Sequence, residues 1–572
     1  MSASHDLDEI QIQILWNRLL SIVEEQAQAL IRTAFSTSVR EAGDLSAGVF
    51  DLKGRMLAQA VTGTPGHVNA MAASVNFFID KFPPGAMGLG NVYLTNDPWL
   101  GTGHLHDFTV VSPVFLKGQV VALFASTSHV VDVGGMGFGP DGRQVYEEGI
   151  NIPIMALMTE GEINANLIEI IRVNVREPDQ VEGDLYSLAA CNETGSRRLL
   201  ETMGEFALDN LDQIADAIIN RSFESMLAQI RELPFGSFEN SMRIDGYDKP
   251  IDLVAKMIIS ETGIDVDFSG TSPVSGRGIN VPVTYTQAYA SFGVRCVVGS
   301  QIPNNSGSLA PVRVTAPEGC ILNALHPRAV AARHVVGQML PDVVMGCLHQ
   351  VVPDRVPAEG SSSLWNPVLL GGHGIGGESE NNKSTPFTIN VFHSGGTGAR
   401  PGKDGLSATA FPSGVRNTPV EINETIAPII VWEKEYRTDS GGAGAHRGGT
   451  GQVMSIGHRE GAAWAVSAMF DRCHYPARGR NEGQPGGMGL LSLKSGQKLN
   501  NKGRQNVPSG EVVVMDMPGG GGLGDPLSRS PERVAWDVKN GMVSAEAARD
   551  AYKVIVSGAG ELDVVATKKL RA

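Results

Sequence analysis

Hydrophobic spacing along the chain alternates between helical and strand periods, and these shifts predict its elements. Residues 7–36 place Leu15, Leu19, Ile22, Val23 and Leu30 at helical intervals, with Asp6 or Asp8 available as a cap. From Leu45 the pattern turns to strands, and the segment SAGVFDLKGRMLAQA predicts a hairpin around Lys53-Gly54. Residues 68–82 read as a helix. Residues 108–115 (FTVVSPVF) and 119–131 then read as two strands joined at Lys117-Gly118, the second rich in β-branched residues. Residues 162–233 are largely helical by the same criterion, and residues 242–270 alternate in strand fashion. From about residue 360 to 525 short strands are broken by Gly371-Gly372-His373-Gly374, Gly395-Gly396-Thr397-Gly398, Gly441-Gly442-Ala443-Gly444 and Gly519-Gly520-Gly521-Gly522. Glycine makes up 69 of 572 residues, above the usual share of about 7%, which predicts tight turns and close backbone approaches there. Residues 531–554 close with two helical segments capped by Ser530 and Ser544.

These elements predict an α+β, multi-layer mixed protein. It has an N-terminal helix, a β-hairpin, a helical middle and a glycine-rich, strand-rich C-terminal half. The expected divisions are an N-terminal α/β body that includes the hairpin (1–239), a central α+β segment (240–360), a glycine-rich β-rich region (361–527) and a C-terminal helical segment (528–572).

Composition narrows the function classes. A hydrophobic share of 42% with 19% charged residues describes a folded globular chain. The net charge of −15, with no basic stripe, disfavours nucleic acid or an anionic membrane as partner. The five cysteines are scattered and form no CxxC pair, which argues against a disulfide framework and fits a reducing compartment. Neither a signal peptide nor an apolar run of about 20 residues is visible, so a cytoplasmic location is expected.

The densest chemistry lies in residues 96–107 (NDPWLGTGHLHD) and 128–135 (SHVVDVGG). These two segments hold three histidines and three aspartates, in a chain with only 13 histidines. A two-residue turn at Lys117-Gly118 makes facing residue numbers sum to 235, which sets His129 opposite His106 with His104 diagonal to it. Facing side chains would lie roughly 4.5–5.5 Å apart and diagonal ones about 7–8 Å, close enough to share one ion. In that register Asp107 points to the other face, and it joins only if the chain bends or bulges before Phe108. Two histidines plus carboxylates is a ligand set for zinc, manganese or non-heme iron with positions left open. Polar strand ends and turn-forming aspartates are the simpler alternative.

Other motifs carry less. Residues 132–136 (DVGGM) resemble the phosphate turn of actin-like kinases, but Met136 replaces the hydroxyl residue. Residues 398–403 (GARPGK) fail as a P-loop, because Thr397 replaces its first glycine and Asp404 its Ser or Thr. Cys473 beside His474 would be an unusual nucleophile and base. Residues 439–449 could cradle an anion but read better as a tightly turned loop, as do residues 518–526.

Taken in order, six segments resemble the hydantoinase B / 5-oxoprolinase family, the metal-bearing subunit of ATP-dependent hydantoinases, lactamases and acetone or acetophenone carboxylases. They are Arg40-Glu41 through Asp44 and Ser46, residues 96–107, 129–135, 267–273 (DFSGTSP), 439–449 and 518–526. The resemblance implies His104, Asp107 and His129 as ligands of one divalent metal (zinc, manganese or iron), with Asp44 as the upstream ligand and Glu41 as its alternative. It implies that His67 faces substrate and that Asp132 orients a ligand. It also implies a hetero-oligomer in which a hydantoinase A-like subunit holds ATP with magnesium and phosphorylates a small cyclic amide. Metal-activated water would then open the ring. A ketone carboxylase subunit is the alternative within the family, and a non-catalytic scaffold is the alternative outside it.

Overall fold

The computed structural model describes residues 7–372, 375 and 386–572. Asp6, and His373 and Gly374 of the first glycine run, lie outside the described residues. The chain divides into two compact units, one within residues 1–138, 142–239 and 255–333, the other within 139–141, 240–254 and 334–572.

The first unit is built on one antiparallel seven-stranded sheet. Its strands are β1 (Leu45–Phe50), β2 (Met56–Gln59), β3 (Val92–Thr95), β4 (Asp107–Leu116), β5 (Gln119–His129), β6 (Met155–Thr159) and β7 (Glu162–Ile163). Their order is β2-β1-β5-β4-β3-β6-β7. Helix α1 (Glu9–Thr33) starts at a capping box in which Asp8 accepts from the Gln11 N–H and the Gln11 side chain returns to Asp8. Its apolar stripe, Leu15, Leu19, Ile22, Val23 and Leu30, is buried as the periodicity predicts. Together with the helix Pro178–Glu205 it covers the sheet face that carries Phe108, Val110 and Phe124. The short helix α2 (Thr37–Arg40) follows. On the opposite face, α3 (Pro65–Lys81) buries Val68, Met71, Val75 and Phe78 against Val111, Leu123 and Ala125. It starts three residues before the predicted Val68, with Pro65 in its first turn, where a missing N–H costs nothing. That earlier start brings His67 into the helix.

The hairpin turns at Lys117-Gly118, and Leu116 faces Gln119 as predicted. The register then changes. Phe115 pairs with Val120 but Val114 pairs with Ala122, so Val121 is a bulge residue and facing numbers sum to 236 from there on. Val121 and Ala122 consequently turn to the same hydrophobic cluster. At the far end Asp107, not His106, faces His129. The expected irregularity exists, but it lies near the turn rather than before Phe108.

A smaller sheet in this unit pairs Gly263–Asp267 antiparallel with residues 256–260 and parallel with Val312–Thr315. The helix Val283–Val297 packs against α3. The helical middle resolves into Ala165–Asn174, Pro178–Glu205 and Asp212–Arg231.

The second unit contains two four-stranded antiparallel sheets. Leu369, Trp464 and Val466 share one buried cluster with Met454, Ile456 and Met515 from the other sheet. The glycine runs pack backbone on backbone. A Cβ at Gly448 would lie 2.0 Å from the Gly520 carbonyl oxygen, and one at Gly519 would lie 1.8 Å from that of Ser440. Ser530 and Ser544 cap Pro531–Lys539 and Ala545–Tyr552 as predicted. The mixed α+β class therefore holds.

A candidate metal centre at the ends of two strands

The bulge at Val121 puts the Asp107 and His129 side chains on the sheet face covered by α3. His104 joins them from the loop before β4, where the backbone turns at Gly103. That residue has φ +103°, and a Cβ there would lie 2.7 Å from the Arg333 side chain. Only glycine meets both conditions without strain. Side-chain donors of His104, Asp107 and His129 lie within 4.8 Å of one another, and all three residues are buried.

Asp107 is the hub. Its Oδ2 accepts from Thr102 Oγ1 at 2.7 Å, and it pairs with Arg333 Nη2 at 2.5 Å and His67 Nε2 at 2.9 Å. Its Oδ1 lies 2.7 Å from His104 Nε2 and 3.3 Å from His129 Nδ1. Burial works against its charge, but His67 and Arg333 hold its pKa well below the usual carboxylate range. Arg333 also donates through Nε to the Thr102 carbonyl and stacks on the Tyr285 ring at 4.1 Å.

The protonation of His104 bears on what the cluster can hold. Its Nδ1 lies 2.8 Å from the Ala331 carbonyl oxygen, which can only accept, so Nδ1 carries the hydrogen. Burial, reinforced by Arg333, lowers the His104 pKa to about 3 and keeps the ring neutral. The Nε2 lone pair then faces the Asp107 carboxylate and lies 3.3 Å from His129 Nδ1. Lone pairs converging at this spacing repel unless a cation sits among them. Ligands at about 2.0–2.2 Å from a common ion are themselves about 3 Å apart. The donor set therefore fits one divalent cation.

The other expected residues fall at varying distances from this point. Asp44 is buried beside the cluster, but its carboxylate takes the Thr64 hydroxyl at 3.0 Å and lies 3.5 Å from His67 Nδ1. It lies outside the converging set, which its backbone oxygen reaches through the His129 N–H. Glu41 turns to Arg40 at 3.0 Å. His67 meets Asp107 directly. Burial opposes its charge, yet Asp107 and Asp44 outweigh burial and raise its pKa. Asp132 bonds elsewhere, to the Gly134 N–H at 3.1 Å and to Arg176. His106 is fully buried with both ring nitrogens unpartnered, stacked on His129 at 5.4 Å. The Phe138 ring closes over all three histidines at 4.9–5.7 Å. Cys473 and His474 make no nucleophilic pair: their N–H groups tie them to Asp245, and burial pushes the thiol pKa up.

Arg333, Thr102, Tyr285 and Glu148 were not expected. Glu148 Oε1 accepts from the Val330 and Ala331 N–H groups at 2.8 Å each, fixing the segment whose carbonyl orients His104. The available signal was Arg333-His334 interrupting an otherwise apolar run, since a charge there must find a buried partner. No helix among the described residues is long and apolar enough to cross a membrane.

A Pseudomonas sp. (strain NS671) protein, provisionally named as the B component of a D-/L-hydantoinase, is 29% identical over 600 residues, covering 99% of this chain and 98% of that one. The 5-oxoprolinase PfmaA of Pestalotiopsis fici is 29% identical over 553 residues, and the match spans only 42% of that protein's length. Among solved structures, the ATP-dependent caprolactamase from Pseudomonas jessenii superposes with a TM-score of 0.88 at 25% identity, covering 99% of this chain and 100% of that one. An acetone carboxylase shares the fold, with a TM-score of 0.84 at 19% identity, covering 99% and 82%. The family model described as Hydantoinase B/oxoprolinase matches residues 8–526, and the chain belongs to that family.

Proposed function

We propose that this chain is the metal-bearing subunit of an ATP-dependent cyclic amide hydrolase. The observation that carries this reading is the buried convergence of His104, Asp107 and His129 in a member of a family whose relatives include a caprolactamase and 5-oxoprolinases. Those three residues would hold the metal, and Asp44 would complete the set by a side-chain rotation away from Thr64. A divalent cation bound there supplies Lewis acidity toward water and substrate oxygen.

The remaining roles belong to the chain's own groups. Arg333 and Thr102 fix Asp107 so that Oδ1 faces the histidines. Ala331 sets the His104 tautomer. His67, whose pKa Asp107 and Asp44 raise against burial, stands at the edge of the cluster as the group to donate a proton to a leaving nitrogen. Phe138 excludes bulk water from the histidine rings. ATP chemistry is assigned to a hydantoinase A-like partner subunit, so the working enzyme is a hetero-oligomer acting on a small cyclic amide.

The test is turnover by the reconstituted complex with ATP, a panel of hydantoins and lactams, and isotopically labelled bicarbonate. Ring-opened, unlabelled product supports hydrolysis. Label retained in a carboxylated ketone would replace it with the carboxylase reading. Full activity in a metal-free Asp107→Ala complex would leave a scaffold role.

A further inference from the structure

Five arginines are buried among the described residues, and four of them have carboxylate partners. Arg333 pairs with Asp107, Arg447 with Asp537, Arg472 with Asp342 and Glu359, and Arg529 with Asp404 and Asp537. Arg295 is the exception. It lies on the helix Val283–Val297 with only 8% of its surface exposed. Its two terminal nitrogens donate to Asn304 Oδ1 and the Ile302 carbonyl, both neutral, and its Nε has no hydrogen-bond partner. No carboxylate among the described residues lies near enough to offset its burial, which lowers its pKa to about 10. A desolvated guanidinium without a counter-charge is costly in a folded protein, and its planar fork suits carboxylate and phosphoryl oxygens.

Arg295 lines a cavity of about 490 Å³ that also has Pro65, Val68, Asn69 and Gln301 in its wall. The cavity thus combines an apolar side, neutral amides and one buried cation. It lies on the other side of the first turn of α3 from the histidine cluster. Pro65, Val68 and Asn69 face the cavity, whereas His67 reaches Asp107. Asn304, also in the cavity wall, ties Arg295 to α3, accepting from Arg295 and donating to Asn69 Oδ1 at 2.9 Å.

We propose that this cavity binds a small organic anion, whose carboxylate or phosphoryl group pairs with Arg295 and whose apolar body lies along Pro65 and Val68. The site is separate from the candidate metal centre and does not depend on the function proposed above.

Calorimetric titration of the full chain with phenyl phosphate, benzoate, inorganic phosphate and the neutral benzamide tests it. At least one aromatic anion binds, and binds more tightly than inorganic phosphate, which lacks the apolar body; benzamide does not. The tighter of the two aromatic anions identifies the headgroup. Arg295→Met weakens that binding by about tenfold or more. Gln301 is exposed at the cavity wall, so Gln301→Glu adds a competing negative charge without disturbing the core and weakens binding even where Arg295→Met fails to fold. His129→Ala leaves it unchanged. The proposal is overturned if neither aromatic anion binds at about 10 mM, if benzamide binds equally, if Gln301→Glu binds as the parent does, or if His129→Ala abolishes binding.

Discussion

Asp107 stands directly across the β4–β5 pair from His129 because Val121 is an extra residue in β5. Strand side chains alternate with a period of two, so one inserted residue moves every later partner to the other face. Without the bulge His106 would take this place and Asp107 would point away. With it, the carboxylate, His129 and His104 share one buried point.

That convergence predicts about one divalent metal per purified chain. His104→Ala and His129→Ala should each lower bound metal at least tenfold or so, by elemental mass spectrometry, while circular dichroism stays unchanged. Parent-like metal content in the His129→Ala chain would sink the ligand assignment.

Arg333 and Asp107 form an ion pair with both side chains almost wholly buried. Removing one partner strands the other charge, so Arg333→Met should cost about 3–5 kcal/mol in denaturant unfolding. Adding Asp107→Asn to Arg333→Met should recover part of that loss. Additive losses would show that the two charges are not coupled.

Gly103→Ala should cost roughly 1–3 kcal/mol, because alanine is strained at φ +103° and its Cβ meets Arg333. It should also loosen metal, since the turn aims His104. A stable Gly103→Ala chain with normal metal content would refute the packing argument.

Burial raises the Glu148 pKa from 4.5 to about 8, despite two backbone N–H donors that favour its charge. Between those values the folded state holds a proton that the unfolded state has released. Stability from this group is therefore full below about pH 4.5 and falls as pH rises toward about 8, by about 1.4 kcal/mol per pH unit. Glu148→Gln keeps a carbonyl acceptor and should remove that slope from urea midpoints measured between pH 5 and 8. An identical slope in the variant would assign the pH dependence to other groups.

Much of this was legible in the residues. The stripe of α1, the hairpin turn at Lys117-Gly118 and the caps at Ser530 and Ser544 follow from local spacing and turn chemistry, whereas Asp107 joined His104 and His129 only through the family resemblance. Asp44, which the family resemblance offered as a ligand, lies against Thr64 and His67, neighbours that no local pattern announces. Asp132 likewise bonds to Arg176, distant in sequence.

The sequence by itself determined the elements, their amphipathic faces and the ligand types, since periodicity and side-chain chemistry act over a few residues. Only the tertiary structure decided that Asp107 opposes His129, that Arg333 meets Asp107 and that Arg295 is left without a counter-charge. A bulge depends on how two strands pair, and a buried charge on partners more than two hundred residues away, as Asp107 and Arg333 are. Neither leaves a periodic trace along the chain.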